Sequence, residues 1–586
     1  MPANWVPIFN LWVFICVGVI SPTMAIKRHK RGGRVYLAEY RSIREGNRIR
    51  SDFVRYLGVE GKPLTKTHGK LLDRVKYGDS RRAGAVRLLW KMAEDLKFRE
   101  AIDGFCSKNP DFQGPSPATY LTIWAINRVL DPKSATKLDK WVRTTDLPLL
   151  VGAEDEDFTK NAFLSALDTI CRYDYATASL IDNTRALDDT LSKQWRVLHP
   201  LQNGEKEVMA YDLTNVLFFG VTCPLAEMGH NSKHQLRKQV NVAVVVSRRD
   251  HSPLFHFVYH GSRNGSGTVR NLLVQLQQAG ANPGLLIADR GIINNKTITE
   301  SVAMGWHVLG GISKTSKEVH DILDRINVNE NPETFVQQAR EGAIYASGSK
   351  EKIFGMERYV VVYVNGEKQR RERDERNNEL SKMGKALNEL SEKGDEWSEA
   401  KLHDKIKGTI YGWEMLVKVV VKRGGVKPRI AWKFDEKELK AAASRDGKYL
   451  LLCTDEKITP KEAVETYIGK DFVEKSFRTL KTCIEVEPVR HRLECRVKAY
   501  ISVCMLALRL KMALWWMLKE AGIENDTAAF QERLLEELSR VERVDVRLGN
   551  EVKAWYLNRT DFITKGLNKI GMKDLLTEEL KIADKV

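Results

Sequence analysis

The sequence predicts an α/β protein: a mixed sheet with flanking helices, interrupted by a long insertion and preceded by a basic region and a helical connecting domain. Three observations carry this. From position 208 the apolar pattern turns β-branched and aromatic, and the segments that follow read in order as strand, strand, strand, helix, strand, helix, strand. The stretch 98–199 instead carries helical apolar runs such as YLTIWAINRVL and KLDKWV, punctuated by prolines at 110, 115, 117 and 132. Finally, 586 residues with 43% hydrophobic and 29% charged content fit neither a disordered chain nor a membrane protein over most of the length. At about 150 residues per domain, three or four domains are expected.

Residues 1–23 contain an uncharged run of sixteen, WVPIFNLWVFICVGVI. It lacks a preceding lysine or arginine and falls short of the roughly 20 apolar residues of a spanning helix. We read it as an apolar leader or start-site artefact, with the basic domain opening at Met24. Over 27–99 there are 21 basic residues against eight acidic ones, an excess of 13 out of the whole chain's +17. Such a concentration of positive charge marks 24–100 as a DNA-binding region, with Tyr36, Tyr40, Phe53 and Tyr56 interleaved among the charges. A solvated charged surface is the plainer reading of the same residues. RVYLAEYR within it alternates as a short strand. Residues 101–200 are the helical connecting domain. The eight cysteines form no Cys-x-x-Cys pair, which speaks against a zinc ribbon or a disulfide scaffold and for a reducing cytoplasm.

Residues 201–314 hold the strand-rich stretch: VMAYDLTNVLFFGV, QVNVAVVVS and PLFHFVYHG, expected to be antiparallel, then a helix, PGLLIADRG, a second helix and WHVLGG. Two acids stand out. Asp212 lies inside an apolar strand, where aspartate is depleted, and Asp289 ends the run LLIAD. Taken singly, each fits a cap, a turn or a hydrogen-bonded strand end. As a pair at the ends of adjacent strands they would repel unless a cation neutralised them, and Mg2+, hard and oxygen-seeking, suits two carboxylates beside phosphate.

The segment 460–481, PKEAVETYIGKDFVEKSFRTLK, has helical periodicity. At about 100° per residue, Tyr467, Lys470, Glu474 and Lys481 fall on one stripe at about 0°, 300°, 340° and 320°. Val473, Phe477, Leu480 and Ile484 form the adjacent apolar face, so Glu474 sits at the rim between core and solvent. The spacing also fits an ordinary amphipathic helix, and Asp471 is a rival for the acidic role.

Tyr467, Lys470, Glu474 and Lys481 reproduce the spacing Y-x2-R-x3-E-x6-K, with lysine in place of arginine. With YDLTNVLFFG around Asp212 and LLIADRGIINN around Asp289, the chain resembles the DDE transposases of the insertion-sequence-four superfamily over roughly 24–510. The resemblance implies an RNase H-like catalytic core in which Asp212, Asp289 and Glu474 hold two Mg2+ ions, with Mn2+ able to substitute. It implies that Tyr467, Lys470 and Lys481 bind the end of the element. The replacement at Lys470 keeps the charge but loses arginine's two-pronged fork. The implied activity is metal-dependent cleavage of double-stranded DNA at terminal inverted repeats followed by strand transfer into target DNA, by a homodimer in the cytoplasm, associated with the nucleoid, with no membrane partner. Two other readings stay open: a transposase-derived DNA-binding protein without catalysis, and a metal-dependent nuclease without strand transfer.

Asp289 and Glu474 lie 185 positions apart, which requires an insertion domain, 315–455, between the two parts of the core, 201–314 and 456–520. Its expected content is the strand MERYVVVYVN and a charged helical stretch over 367–407, where Leu380, Met383, Leu387 and Leu390 recur at 3-4-3 spacing as a helical hairpin or a surface for a partner helix. The apolar helix AYISVCMLALRLKMALWWML carries Arg509 and Lys511 and is read as core, and 521–586 is expected to be helical. His230-x3-His234 lacks the glutamate of a zinc-protease helix, and Gly265-Ser266-Gly267 lacks a phosphate-loop lysine, so neither defines a site.

Overall fold

The computed structural model describes residues 24–45, 48–61, 75–106, 114–202, 205–229, 237–263, 265–278, 281–339, 342–393, 397–423, 428–523, 526–548, 551–577 and 580–582. The apolar leader at 1–23 and the pair His230 and His234 fall outside them. The chain divides into two compact units: residues 81–542 with 557–576, and residues 1–80 with 543–556 and 577–586.

The larger unit is organised by a ten-stranded sheet. Its nine main strands are β1 (Val208–Leu217), β2 (Lys238–Ser247), β3 (Pro253–His260), β4 (Leu285–Ala288), β5 (His307–Ile312), β6 (Phe335–Ala339), β7 (Gly342–Ile353), β8 (Met356–Asn365) and β9 (Lys448–Cys453). They lie in the order β3-β2-β1-β4-β5-β9-β8-β7-β6, and the short strand Glu227–Met228 pairs with β2. β1 to β3 are antiparallel neighbours, as expected from their short connections, while β4 runs parallel to both β1 and β5. The parallel pairings need crossovers, which helices α1 (Val269–Gln278) and α2 (Asn295–Ala303) supply. Leu272, Leu273 and Leu276 of α1 bury against Tyr211, Ala243, Val245 and Leu286 on one sheet face.

On the other face lie α3 (Pro460–Ile468) and α4 (Asp471–Arg478), α4 against β1 and β2, and α3 against β5, β9, β8, β7 and β6. Val473, Phe477, Leu480 and Ile484, the predicted apolar stripe, are all buried. The long helix α5 (Glu494–Glu520) is, among the described residues, the one helix apolar enough to cross a membrane by length and composition, and 83% of its apolar window is buried within the protein. Its Arg509 is paired internally through Nη2, which donates to Asp188 at 3.1 Å and to the Leu254 carbonyl at 2.6 Å. Asp188 also receives His256 Nδ1 at 2.6 Å, so this buried charge is paired rather than stranded. Before the sheet, the predicted helical region contains helices from Phe98–Asp103 to Thr184–Leu198 and an unpredicted hairpin of Cys171–Asp174 with Ser179–Asp182, while the helix Gly84–Asp95 precedes it within the stretch read as the basic region.

Strands from the insertion extend the sheet itself. β5 pairs with β9, β9 with β8, and β8 with β7 and then β6, all antiparallel. Outside the sheet the insertion forms the helices Gly366–Glu392 and Glu399–Ile410 and the hairpin Val417–Arg423 with Pro428–Phe434. Leu380, Met383 and Leu387 pack against Leu416 and Val417, so the 3-4-3 pattern is used within the chain.

In the smaller unit, Met24–Arg31, Arg34–Glu45 and Arg48–Val59 form a three-stranded antiparallel sheet. The segment 521–586 departs from the helical expectation. It has helices Thr527–Ser539 and Asp561–Lys569, but ERVDVRL and EVKAWYL are the strands Glu542–Leu548 and Glu551–Leu557, in one sheet with Val75–Arg82 and Leu580–Ile582. Val544, Val546 and Leu548 alternate with charged residues at a two-residue period, which is a strand pattern.

Candidate active site

The register of β1 and β4 brings the two singled-out aspartates together. Ala288 pairs with Tyr211, so the next residues, Asp289 and Asp212, stand side by side where β4 ends. Side chains alternate along a strand. Tyr211 therefore points to the α1 face, where its hydroxyl meets Thr268 Oγ1 at 2.5 Å, and Asp212 faces α3 and α4. Asp212 accepts the Leu213 amide at 2.8 Å, and Asp289 accepts the Arg290 amide at 2.8 Å.

The two carboxyl groups are in opposite electrostatic states. Burial pushes Asp212 up to about 6, and repulsion from Asp289 and Glu474 adds to it, against the pull of the Leu213 amide and Lys470. Burial acts on Asp289 in the same direction but is outweighed, and the group is held below the usual carboxylate range by the Lys470 ammonium, 2.9 Å away, and by Arg290. Asp289 also accepts the Tyr467 hydroxyl at 3.3 Å. Burial and the neighbouring Asp289 raise that hydroxyl well above its ordinary value, so it remains a donor. Lys470 Nζ lies 4.7 Å from the centre of the Tyr467 ring. Gly311 on β5 makes room for this arrangement, since a Cβ there would come 2.6 Å from the Tyr467 hydroxyl and 2.7 Å from Arg290 Cγ.

The single helix expected over 460–481 is two helices and a turn. α3 starts at the Thr459 cap, with Glu462 closing a reciprocal capping box and proline in the first turn, and it stops at Gly469. Lys470 caps α4, and Thr479–Cys483 widens into a π turn. Glycine is a poor helix interior, and a Cβ at Gly469 would lie 2.8 Å from the Glu465 carbonyl oxygen. The break resets the helical wheel, yet Tyr467, Lys470 and Glu474 still line one cleft of about 300 Å3 together with Asp289. It also puts Glu474 in the first turn of α4, where the helix dipole favours a carboxylate. The rival Asp471 lines the same cleft and, like Glu474, is exposed, but it is paired with Lys475 at 2.8 Å. Asp212 is influenced by the charge of Glu474.

Lys481 is separated from this group. It sits in the π turn, 4.0 Å from Glu487, whose carboxylate takes the Leu217 amide at the far end of β1. The opposite wall of the cleft comes from residues the sequence did not single out. Tyr363 on β8 and Tyr449 on β9 are register partners with rings stacked 5.2 Å apart. Lys314 and Lys368 approach the Tyr449 ring at 4.3 and 5.5 Å, and the Tyr449 hydroxyl donates to Glu372 at 2.7 Å. Their signal is the β8–β9 register, which is invisible until the two strands are known to pair.

Carboxylates are the donors a hard cation takes, and Asp212, raised chiefly by burial and further by Asp289 and Glu474, is the one whose charge a cation would relieve most. Among the described residues, however, no three His, Cys, Asp or Glu side chains stand close enough to enclose an ion, and the cation on Asp289 is Lys470.

No protein-family model matches the sequence, and no curated protein does. Among solved structures, the chain is similar to a piggyBac transposase synaptic complex with hairpin DNA, at 9% identity over 84% of this chain and 85% of the other, with a TM-score of 0.36. A second likeness is to the Drosophila P element transposase strand transfer complex, at 12% identity over 77% and 98%, with a TM-score of 0.20.

Proposed function

We propose that this protein is a DNA transposase of the insertion-sequence type, binding the ends of its element and catalysing metal-dependent DNA cleavage and strand transfer through an RNase H-like core. One observation carries the reading: Asp212 and Asp289 adjoin on parallel strands of a sheet ordered β3-β2-β1-β4-β5, with Glu474 lining the same cleft as Asp289. That strand order, three antiparallel and two parallel, is what an RNase H-like core requires.

On this reading Asp212, Asp289 and Glu474 would hold Mg2+. A pair of such ions activates an attacking oxygen and stabilises a leaving one. The chain's own groups do the rest. Tyr467 keeps its proton and orients Asp289. Lys470 neutralises Asp289 in the free protein and would turn to a DNA phosphate when a divalent cation takes over that carboxylate. Lys368, held on the Tyr449 face, supplies positive charge to the cleft, while Lys314 on the same ring is paired with Glu372 at 3.1 Å. Lys481, beyond Asp212 along β1, would contact the backbone further along the strand. Double-stranded DNA and a second copy of the chain are the proposed partners, in the cytoplasm with the nucleoid.

The Lys470–Asp289 pair also fits a protein that binds DNA but has lost catalysis, because it satisfies the site without a metal. Incubating wild type and Glu474→Gln with Mg2+ and duplex DNA that flanks the gene, then resolving nicked and joined products, separates the readings. Cleavage and joining by wild type alone support the transposase. Cleavage without joined products leaves a nuclease, and identical products from both proteins remove Glu474 from the mechanism.

A further inference from the structure

The hairpin at the start of the smaller unit has no core of its own. Met24–Arg31 and Arg34–Glu45 pair in register around Gly32 and Gly33, both at positive φ, which glycine adopts without penalty. From Ala25 to Arg34 every side chain is exposed, and Ala38 is the first buried one. The third strand pairs with Tyr36–Glu45, so only the tip around Gly32 and Gly33 stands as a free two-stranded ribbon, which is marginal in water by itself.

Directly paired residues in antiparallel strands share a face. Lys27 pairs with Ala38, His29 with Tyr36, Arg31 with Arg34, and Tyr40 with both Ala25 and Phe53 on the third strand. One face therefore displays Lys27, His29, Arg31 and Arg34 beside Tyr36, Tyr40 and Phe53. The aromatics fix the base of the ribbon: Tyr40 meets the Phe53 ring edge-on at 5.8 Å, its hydroxyl lies 3.0 Å from His29 Nε2, and Lys27 Nζ stands 4.8 Å from its ring centre. On the other face Arg28 is taken up by Glu60. Lys30, Arg31 and Arg34 have no carboxylate partner among the described residues, which leaves uncompensated positive charge at the tip.

Resting on the proposed transposase function, we infer that this ribbon lies in the major groove of duplex DNA, with the Lys27–His29–Arg31–Arg34 face against the base edges and Lys30 toward a phosphate. Two strands about 5 Å apart suit a groove about 12 Å wide, whereas the minor groove, at about 6 Å, excludes them. Arginine is also the side chain best matched to guanine O6 and N7.

The full-length protein carrying Asp212→Asn, which prevents cleavage during binding, is titrated with a labelled linear duplex over a range of KCl concentrations. It is compared with the same protein bearing Arg31→Ala and Arg34→Ala, with one bearing Arg31→Lys and Arg34→Lys, and with one bearing Lys30→Ala. The alanine pair should weaken binding roughly tenfold or more through the lost guanine contacts with little change in the slope of log K against log salt, whereas Lys30→Ala should lower that slope by about 0.9, the value for one phosphate contact. The lysine pair should keep the slope, and methylating guanine N7 throughout the duplex should weaken the parent and the lysine pair but not the alanine pair. Equal affinity for parent and alanine pair, no effect of N7 methylation, or tighter binding to anionic lipid vesicles than to duplex would each overturn the inference. A parent that binds no DNA overturns the transposase reading as well, while a parent that binds with unchanged affinity in the alanine pair overturns the hairpin assignment alone. Matched thermal melting of the four proteins excludes misfolding as the cause.

Discussion

The sheet half β3-β2-β1-β4-β5 carries the aspartates, and the half β9-β8-β7-β6 carries tyrosines and lysines. In the first, Asp212 and Asp289 meet at two parallel strands, and burial, with Asp289 adding to it, leaves Asp212 with a raised proton affinity. In the second, Tyr449 has its hydroxyl on Glu372 while Lys314 and Lys368 lie against its ring, so positive charge is held in place by paired and aromatic neighbours. The cleft is lined by Asp289, Asp471 and Glu474 together with Arg290, Lys368 and Lys470, and such mixed charge suits a substrate that brings both a metal ion and a phosphate. The insertion is thus more than a spacer between the second aspartate and Glu474, because its strands build the wall facing them.

The contrast breaks most visibly by removing charge from the aspartates. Asp212→Asn or Asp289→Asn should lower DNA cleavage by about 10^3-fold or more, because several kcal/mol of transition-state stabilisation is lost with a metal-binding carboxylate. Binding to duplex DNA should stay within a few-fold of wild type. Full cleavage by either variant, measured under single-turnover conditions, would falsify the assignment of that residue.

The same Asp212→Asn change should raise stability. Asp212 has a folded-state value of about 6 against an ordinary 3.8, so the stability present below that ordinary value is lost as pH rises through about 6. Asparagine never ionises and avoids the loss. In metal-free buffer near pH 8 the variant should be more stable by up to about 3 kcal/mol, and the gain should vanish below about pH 4. Millimolar Mg2+ should stabilise wild type more than the variant. A variant less stable than wild type at pH 8 would mean that Asp212 is held there by interactions worth more than its repulsion.

The seam between the halves is Gly311 on β5. Gly311→Ala brings a methyl within 2.6 Å of the Tyr467 hydroxyl and displaces it from Asp289. Overpacking of this kind destabilises by about 1–3 kcal/mol. Denaturant unfolding should show that loss, and cleavage should fall even where the variant is fully folded. Unchanged activity in folded Gly311→Ala would uncouple Tyr467 from the acid pair.

The two halves were unequally legible in the sequence. β1 to β5 announce themselves because each is short, β-branched and bounded by turn residues, and Asp212 and Asp289 stand out by interrupting apolar runs. Tyr467, Lys470 and Glu474 could be grouped by spacing alone, since the break at Gly469 shifts all that follows without carrying it off the cleft. Lys481 fails that test because the wheel assumes a continuous helix and a π turn intervenes. The tyrosine wall was illegible for another reason. Tyr363 and Tyr449 become neighbours only when β8 and β9 pair across 85 intervening positions, and no local periodicity encodes that register. The C-terminal strands were missed where charged residues masked their alternation.

The smallest effect concerns the cation that pairs with Asp289. Lys470→Gln removes an ammonium 2.9 Å from Asp289, and with the Asp289 side chain half exposed the loss should be about 1 kcal/mol. Because Lys470 holds Asp289 below its ordinary value, the stability it supplies is present at neutral pH and disappears as pH falls through that lowered value. Urea unfolding should therefore show the deficit near pH 7 and none well into acid. Two ligand titrations sharpen the point. If Lys470 alternates between Asp289 and a DNA phosphate, the variant should bind Mg2+ more tightly, having lost a competitor, and bind duplex DNA less tightly. A loss of both affinities would show instead that Lys470 supports the shape of the site, because an ammonium that competes with the metal cannot also be needed to seat it.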